Sequence, residues 1–426
     1  MRPSLCRTLM AHALLFCQTV SSEQHSRKES HYVQPQALDQ ARMSPPPPST
    51  RGISTSLFAE LERLARLVDI SYCVGNTGVR KPFECLSRCN EFPGLALETT
   101  WSTGFLMGDS CGYIALDHGP SPSKSARFRG DDRPKTKEGS ILVAFRGTYS
   151  ITNTIVDLST VPQKYVPYPA PGDDDDDDDD GDGNEEQQEK AHVQGPKCDN
   201  CTVHMGFLQS WQLARDTVIP KLKALKKKYP SYQVQLVGHS LGGAVACLAA
   251  LELKLSLGWD DLLVTTFGEP RLGNYHLARY IDTAFSLDDT AHPESRSYRR
   301  VTHNNDPVPL LPLEEWGYRS HAGEVYIAKQ DLQPSEADVR TCVGDADPEC
   351  SAGDATSLLD GVRRLLHFAR SSGSVEEYVA ARRLPIRLGL WRLFFAHRDY
   401  FWRLGLCVPG GDPANWDSGD EDVGEL

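Results

Sequence analysis

The sequence lacks an apolar run long enough to cross a membrane. The apolar stretch near the start, Thr8 to Val20, is interrupted by His12 and falls short of the roughly 18 residues that a membrane helix needs. A basic start before this stretch and the polar residues Ser21 and Ser22 after it are typical of a secretory signal. We therefore expect a signal peptide at residues 1–21 and a secreted mature protein without a transmembrane segment.

The sequence also lacks a basic face for a nucleic-acid partner. Its formal net charge is −13, and most of this imbalance comes from eight consecutive aspartates, Asp173–Asp180, and the acidic residues that follow. Adjacent carboxylates repel one another and cannot be buried together, so we expect a disordered acidic insert at residues 170–196. The alternative is a calcium loop, because alternate aspartates from Asp176 resemble the front of an EF-hand. Its twelfth position holds Gln187 instead of glutamate, which disfavours calcium.

Paired zinc knuckles are absent as well, although the chain has 12 cysteines. Two lie in the signal, and Cys111 and Cys247 have apolar neighbours typical of buried thiols. Cys198 does not open a helix as a redox thiol would, so we expect neither a redox centre nor a metal site. The other eight fall into candidate pairs and favour an exported protein: Cys73 with Cys407, Cys85 with Cys89, Cys198 with Cys201, and Cys342 with Cys350.

Apolar patterning predicts that strands alternate with helices through the middle of the chain. This alternation indicates a single α/β domain at residues 54–410 with a mostly parallel central sheet flanked by helices. The predicted strands are Tyr113–Leu116, Ile141–Phe145, Leu262–Phe267, Tyr298–Thr302 and Glu324–Ile327, and helical patterns cover residues 57–68, 203–229 and 244–253.

The stretch from Gln233 to Ala246 carries the strongest chemical signal. A partly apolar alternating run leads into Gly238-His239-Ser240-Leu241-Gly242, and a helical run of small residues follows. A glycine on each side of the serine suits a sharp strand-to-helix turn, because the neighbouring backbone leaves no room for a Cβ. Such a turn aims the helix N-terminus at a developing oxyanion. We therefore predict Ser240 as a nucleophile and the domain as an α/β-hydrolase type.

A nucleophilic serine needs a histidine to accept its proton and a carboxylate to orient that histidine. In this type of domain the chain order is serine, acid, histidine. Asp306 follows a predicted strand downstream of Ser240 and therefore fits the role of the carboxylate that orients the histidine. His367 falls within a helical pattern, and the residues themselves leave the choice between His321 and His397 open.

The strand Ile141–Phe145 ends in Arg146-Gly147-Thr148. Taken alone, this sequence fits the second oxyanion donor of an α/β-hydrolase and an ordinary strand-ending turn equally well. The amphipathic segment Ser150–Val161 follows directly. Its pattern fits a helical lid over the site and a core helix equally well.

An ordered series of motifs resembles the class 3 (fungal) lipases. The series spans residues 60 to 407 and covers most of the predicted domain. Its members are Phe145-Arg146-Gly147-Thr148, Val203-His204-Met205-Gly206-Phe207, Gly238-His239-Ser240-Leu241-Gly242-Gly243, Gly268-Glu269-Pro270-Arg271-Leu272-Gly273, Arg300-Val301-Thr302-His303-Asn304-Asn305-Asp306-Pro307-Val308-Pro309, His321-Ala322-Gly323-Glu324 and His397-Arg398-Asp399-Tyr400-Phe401.

The resemblance implies Ser240 as nucleophile, Asp306 as orienting acid and His397 as general base, with His321 structural. The oxyanion hole would be the Thr148 backbone N–H and hydroxyl together with the Leu241 N–H. The four candidate cysteine pairs would be disulfides. The implied function is that of a secreted carboxylic ester hydrolase, a triacylglycerol lipase, acting without a cofactor on a lipid or small ester at a lipid–water interface. The alternatives are a feruloyl-type or short-chain esterase and a catalytically silent lipid-binding protein.

The remaining segments lie around the predicted domain. We expect a disordered leader at residues 22–53, a helical insert at residues 354–390 and an acidic tail at residues 411–426. The basic and apolar residues between Ser351 and Trp402 fit a helical pair packed on the sheet, or a lipid-facing surface beside the active-site mouth.

Overall fold

The computed structural model describes residues 51–104, 110–119, 139–148, 162–165, 198–287, 293–353 and 395–408. The chain divides into two compact units, Met1–Pro45 and Pro46–Leu426, and every described residue belongs to the second unit. The predicted signal peptide, lid segment, acidic insert, helical insert and acidic tail all lie outside the described residues. Within those residues, no helix is both long and apolar enough to span a bilayer.

The described residues contain a central sheet of eight strands that follow one another across the sheet in chain order. The pairings from β3 to β7 are parallel, and the pairings β1–β2, β2–β3 and β7–β8 are antiparallel. The prediction of a mostly parallel sheet is therefore confirmed. The strands are β1 (Leu95–Ser102), β2 (Cys111–Asp117), β3 (Ser140–Phe145), β4 (Gln233–His239), β5 (Leu262–Phe267), β6 (Tyr298–His303), β7 (Glu324–Ile327) and β8 (Val339–Thr341).

Register brings the carboxyl ends of the parallel strands to one edge of the sheet. Phe145 at the end of β3 lies opposite Gly238 of β4, and His239 lies opposite Phe267 at the end of β5. In turn Phe267 lies opposite Val301 of β6. The segments that follow these strands therefore meet at this edge, which is where α/β sheets place their binding sites.

Four α-helices of the described chain cover the sheet: α1 (Thr55–Ile70), α2 (Met205–Lys228), α3 (Leu241–Leu251) and α4 (Tyr275–Phe285). Alternate strand residues face opposite sides, so two apolar cores form. The first core contains the buried side of α1 together with Tyr113, Leu142 and Val237. The second contains α2, α3 and α4 with Ile114 and Val143. The helix α1 and the C-terminal segment near Tyr400 therefore share one face of the sheet.

Shorter elements complete the described part. A four-stranded sheet contains Pro162–Lys164, Thr202–His204, Gly273–Asn274 and Tyr318–Arg319, and two hairpins pair Val79–Arg80 with Glu84–Cys85 and Asp399–Tyr400 with Trp402–Arg403. Single-turn 3₁₀ helices occur at Ser71–Cys73, Arg88–Glu91, Pro293–Ser295, Val308–Leu310, Glu314–Trp316 and Glu336–Asp338, and a π turn at Glu252–Ser256 follows α3.

The cysteines lie as the sequence indicates. Cys111 and Cys247 are buried and do not take part in a disulfide. The eight others form the four disulfides that the resemblance implies, Cys73–Cys407, Cys85–Cys89, Cys198–Cys201 and Cys342–Cys350.

The N-terminal boundary lies earlier than the predicted start at residue 54. Arg51 is buried, and its guanidinium lies 3.1 Å from the carboxylate of Asp347. Its neighbour Gly52 bridges to Arg340 on β8. Ser54 then caps α1, since its hydroxyl accepts a hydrogen bond from the Leu57 backbone.

Candidate active site

Ser240 lies at the junction of β4 and α3, in a strained turn with φ 58° and ψ −128°. A Cβ on Gly238 would overlap the carbonyl oxygen of Gly242, and a Cβ on Gly242 would overlap the carbonyl oxygen of Phe145. Only glycine permits this approach of backbones. The local geometry is therefore that of a nucleophile elbow.

Backbone N–H groups lie beside this serine. Leu241 is the first residue of α3, so its N–H has no acceptor within the helix. On the other side, a Cβ on Gly147 would come within 2.8 Å of the Ser240 Cβ, which puts the end of β3 against the nucleophile turn. Thr148 follows and is partly exposed. The residue before Thr148 and the first residue of α3 therefore both lie next to Ser240.

His397 and Asp306 form a buried pair. The Nδ1 atom of His397 lies 3.0 Å and 2.9 Å from the two carboxylate oxygens of Asp306. Both side chains are inaccessible to solvent. A histidine that donates from Nδ1 to a carboxylate keeps Nε2 free to accept a proton.

Two further groups hold the Asp306 carboxylate. The Tyr400 hydroxyl donates to Oδ2, and the Val308 backbone N–H donates to Oδ1 at 2.9 Å. Burial and the charge of Asp306 raise the pKa of Tyr400 well above its ordinary value, so this hydroxyl keeps its proton. Tyr400 lies three residues after His397 in the chain, but the sequence alone predicts no role for it.

Gly268 packs against His397 and Tyr400. Its φ is +59°, and a Cβ there would lie 2.9 Å from His397 Cε1 and 2.9 Å from the Tyr400 oxygen. The backbone of the loop after β5 thus packs directly against the imidazole.

Ser240 Oγ and His397 Nε2 are both buried without a hydrogen-bond partner among the described residues. Buried polar atoms are nearly always paired, and exceptions occur at functional sites. Catalytic hydrogen bonds are often unformed before substrate binds. These two atoms are the ones between which a serine hydrolase passes its proton.

His321 takes part in a different set of contacts. Its Nε2 lies 2.8 Å from Glu269 Oε1, and its Nδ1 lies 2.7 Å from the Ala322 carbonyl oxygen. The Tyr298 hydroxyl donates to the other oxygen of Glu269 at 2.7 Å. Asp306 is therefore paired with His397 and not with His321. The third candidate, His367, lies outside the described residues.

Two groups of potential metal ligands occur in the described chain. In the first, Glu269 and His321 are hydrogen-bonded to each other beside Cys247. In the second, Glu324 lies beside Cys342 and Cys350, whose sulfurs are joined in a disulfide. The hydrogen bond in the first group and the disulfide in the second explain why these side chains lie close together.

The fold and this arrangement define a serine hydrolase of the α/β-hydrolase class. The comparisons with known proteins narrow the class. Residues 142–316 match the family model described as Lipase (class 3).

The chain is 59% identical over 377 residues to the secreted mono- and diacylglycerol lipase 2 of Gibberella zeae, and the match covers 88% of each chain. It is 58% identical over 369 residues to lipase A of Sodiomyces alcalophilus, with 85% of each chain covered. Among solved structures it is similar to the Lip2 lipase from Yarrowia lipolytica, with a TM-score of 0.61 and 27% identity, covering 84% of this chain and 97% of that chain.

The chain belongs to the class 3 lipase family. The predicted family and fold are confirmed, and the protein is a secreted serine ester hydrolase.

Proposed function

We propose that the protein is an acylglycerol lipase that works through an acyl-enzyme on Ser240. In this proposal Asp306 orients His397, and His397 is the general base. The oxyanion hole consists of the Thr148 backbone N–H and hydroxyl together with the Leu241 N–H. The observation that carries the proposal is the His397–Asp306 pair. Within the described part of the chain, His397 Nε2 and Ser240 Oγ are both buried and neither has a hydrogen-bond partner.

The chemistry follows from these positions. The Ser240 oxygen attacks the ester carbonyl carbon while its proton moves to His397 Nε2, and the carbonyl electron pair becomes an oxyanion. Preorganised donors lower the barrier because they stabilise this charge in a site that excludes water. Collapse breaks the ester C–O bond, and the departing alcohol takes the proton from His397. Water then repeats the sequence on the acyl-enzyme, and releases the fatty acid and free Ser240.

Substrate class is supported by the relatives. The Gibberella zeae protein is named a lipase of mono- and diacylglycerols, and the match spans most of both chains. We propose that this protein cleaves the same glycerol esters and also triacylglycerol, as its family resemblance implies.

We further propose that the protein works at a lipid–water interface. Ser240 is 1% exposed, which supports a site that opens before substrate enters. In this proposal Ser150–Val161, outside the described residues, is the lid. The signal peptide at residues 1–21, the part of the predicted leader that precedes Arg51 and the acidic insert at residues 170–196 stay predictions about the chain around the domain.

A substrate panel tests the proposal. Purified enzyme is assayed on emulsified triolein, diolein and monoolein, on p-nitrophenyl esters of increasing chain length, and on methyl ferulate. We expect hydrolysis of the oleoylglycerols, with rates that rise when the substrate passes its solubility limit. Activity confined to methyl ferulate or to short soluble esters would contradict the lipase assignment and favour the esterase. Hydrolysis of none of them, with retained binding to triolein emulsion, would favour the silent lipid-binding protein.

A further inference from the structure

Tyr72 is a buried residue that the mechanism above does not use. It lies in the 3₁₀ turn Ser71–Cys73 directly after α1, and it is 1% exposed. The next residue, Cys73, is bonded to Cys407 in the C-terminal segment that also carries His397. Tyr72 therefore stands where the start of the domain meets the segment of the general base.

The Tyr72 hydroxyl lies within hydrogen-bonding distance of His239, the residue before the nucleophile. Its oxygen is 2.5 Å from His239 Nδ1. The other ring nitrogen of His239, Nε2, lies 2.8 Å from the carbonyl oxygen of His397. A carbonyl can only accept, so Nε2 donates, and Nδ1 accepts the proton of the Tyr72 hydroxyl.

Protonation states agree with these directions. Burial lowers the pKa of His239 well below its ordinary value, so the ring is neutral with one donor and one acceptor. Burial raises the pKa of Tyr72, so its hydroxyl keeps the proton that it donates.

The same hydroxyl meets the oxyanion segment. Gly147, the residue before Thr148, forms a backbone hydrogen bond to the Tyr72 oxygen, and a Cβ on Gly147 would come within 2.5 Å of that oxygen. A second contact strengthens the link, since Arg146 Nη1 donates to the Val74 carbonyl oxygen at 2.8 Å. The turn that holds Tyr72 is thus tied to the end of β3 twice.

We propose that Tyr72 is a positioning residue that aligns the oxyanion loop, the nucleophile turn and the general base through one chain of hydrogen bonds. The chain runs from the Gly147 N–H to Tyr72, from Tyr72 to His239, and from His239 to the His397 carbonyl. Each link acts on a residue adjacent to, or identical with, a member of the proposed catalytic set. Small displacements of such groups lower the rate of the chemical step more than they weaken substrate binding.

This inference rests on the proposed function, because it assumes that Ser240 and His397 carry the reaction. The central variant is Tyr72→Phe, which removes the hydroxyl and keeps the ring. Tyr113→Phe is the matched control. Tyr113 is also fully buried in the same core, and its hydroxyl donates to the Leu67 carbonyl oxygen at 2.8 Å, away from the chain of hydrogen bonds.

We expect Tyr72→Phe to lower kcat on a soluble p-nitrophenyl ester by about 10- to 100-fold with little change in KM. The rate constant for phosphonate labelling of Ser240 should fall in parallel, because labelling needs the same alignment. Tyr113→Phe should keep kcat and the labelling rate near those of the wild type, although both variants unfold at lower temperature. A Tyr72→Phe enzyme with unchanged kcat and labelling rate would overturn the proposal.

A second pair of variants tests the middle link and decides the question if Tyr72→Phe does not fold. His239→Gln retains an acceptor and a donor on a side chain of similar reach, whereas His239→Leu retains neither. We expect the kcat of His239→Gln to be at least about ten times that of His239→Leu. Equal kcat values for the two would overturn the proposal. Activity that survives Ser240→Ala or His397→Ala would instead overturn the proposed function itself.

Discussion

Replacing Ser240 with alanine should lower kcat by ~10⁴- to 10⁶-fold on every ester that the enzyme accepts. The variant loses the oxygen that is acylated in the proposed mechanism, and the remaining donors can then assist only direct attack by water. Folding should be retained, because Ser240 Oγ makes no hydrogen bond with the described residues. The measurement is kcat by pH-stat titration on triolein and by p-nitrophenolate release, with thermal unfolding followed in parallel.

Ser210→Ala provides the matched control for this change. Ser210 is another fully buried serine, and its hydroxyl donates to the Gly206 carbonyl oxygen inside α2 at 2.8 Å. Its removal should leave kcat near the wild-type value. If Ser240→Ala kept more than about one hundredth of the wild-type kcat, a covalent role for this serine would be untenable.

The second large effect should separate His397 from His321. His397→Ala should lower kcat by ~10⁴- to 10⁶-fold, because the serine then has no base and the Asp306 carboxylate has no imidazole to orient. His321→Ala should keep kcat within about tenfold of the wild type. It should cost about 1–3 kcal/mol in the free energy of unfolding, since Glu269 loses a buried hydrogen-bond partner.

Steady-state kinetics and urea unfolding of both variants check this contrast. The reverse pattern, an inactive His321→Ala and an active His397→Ala, would identify His321 as the general base in place of His397. Similar losses of kcat in two well-folded variants would mean that the two histidines share one network.

Local chemistry made the nucleophile turn predictable from sequence. Gly238 and Gly242 are needed wherever backbones approach this closely, so the motif itself carries the geometry. The predicted strands Ile141–Phe145, Leu262–Phe267 and Glu324–Ile327 end where the structure ends them, because buried parallel strands are short apolar runs bounded by turn residues. Asp306 could be predicted as the acid because catalytic acids follow strand ends.

Contacts between side chains that are far apart in the sequence were not predictable in the same way. His321 and His397 both follow Asp306, and nothing local distinguishes the partner; the family resemblance was needed to favour His397. The hydrogen bonds of Tyr72 and Tyr400 have no sequence signal, because they form only when α1 and the C-terminal segment pack on the same face of the sheet.

Covalent labelling with a phosphonate is the decisive experiment for Ser240 as the nucleophile. The enzyme is inactivated with a p-nitrophenyl alkylphosphonate, digested, and analysed by mass spectrometry. We expect one phosphonyl group per chain, located on Ser240, and a labelling rate that falls by a factor of ~10³ or more in His397→Ala. Full inactivation with the label on another residue, or labelling of Ser240 that leaves hydrolysis intact, would contradict this expectation.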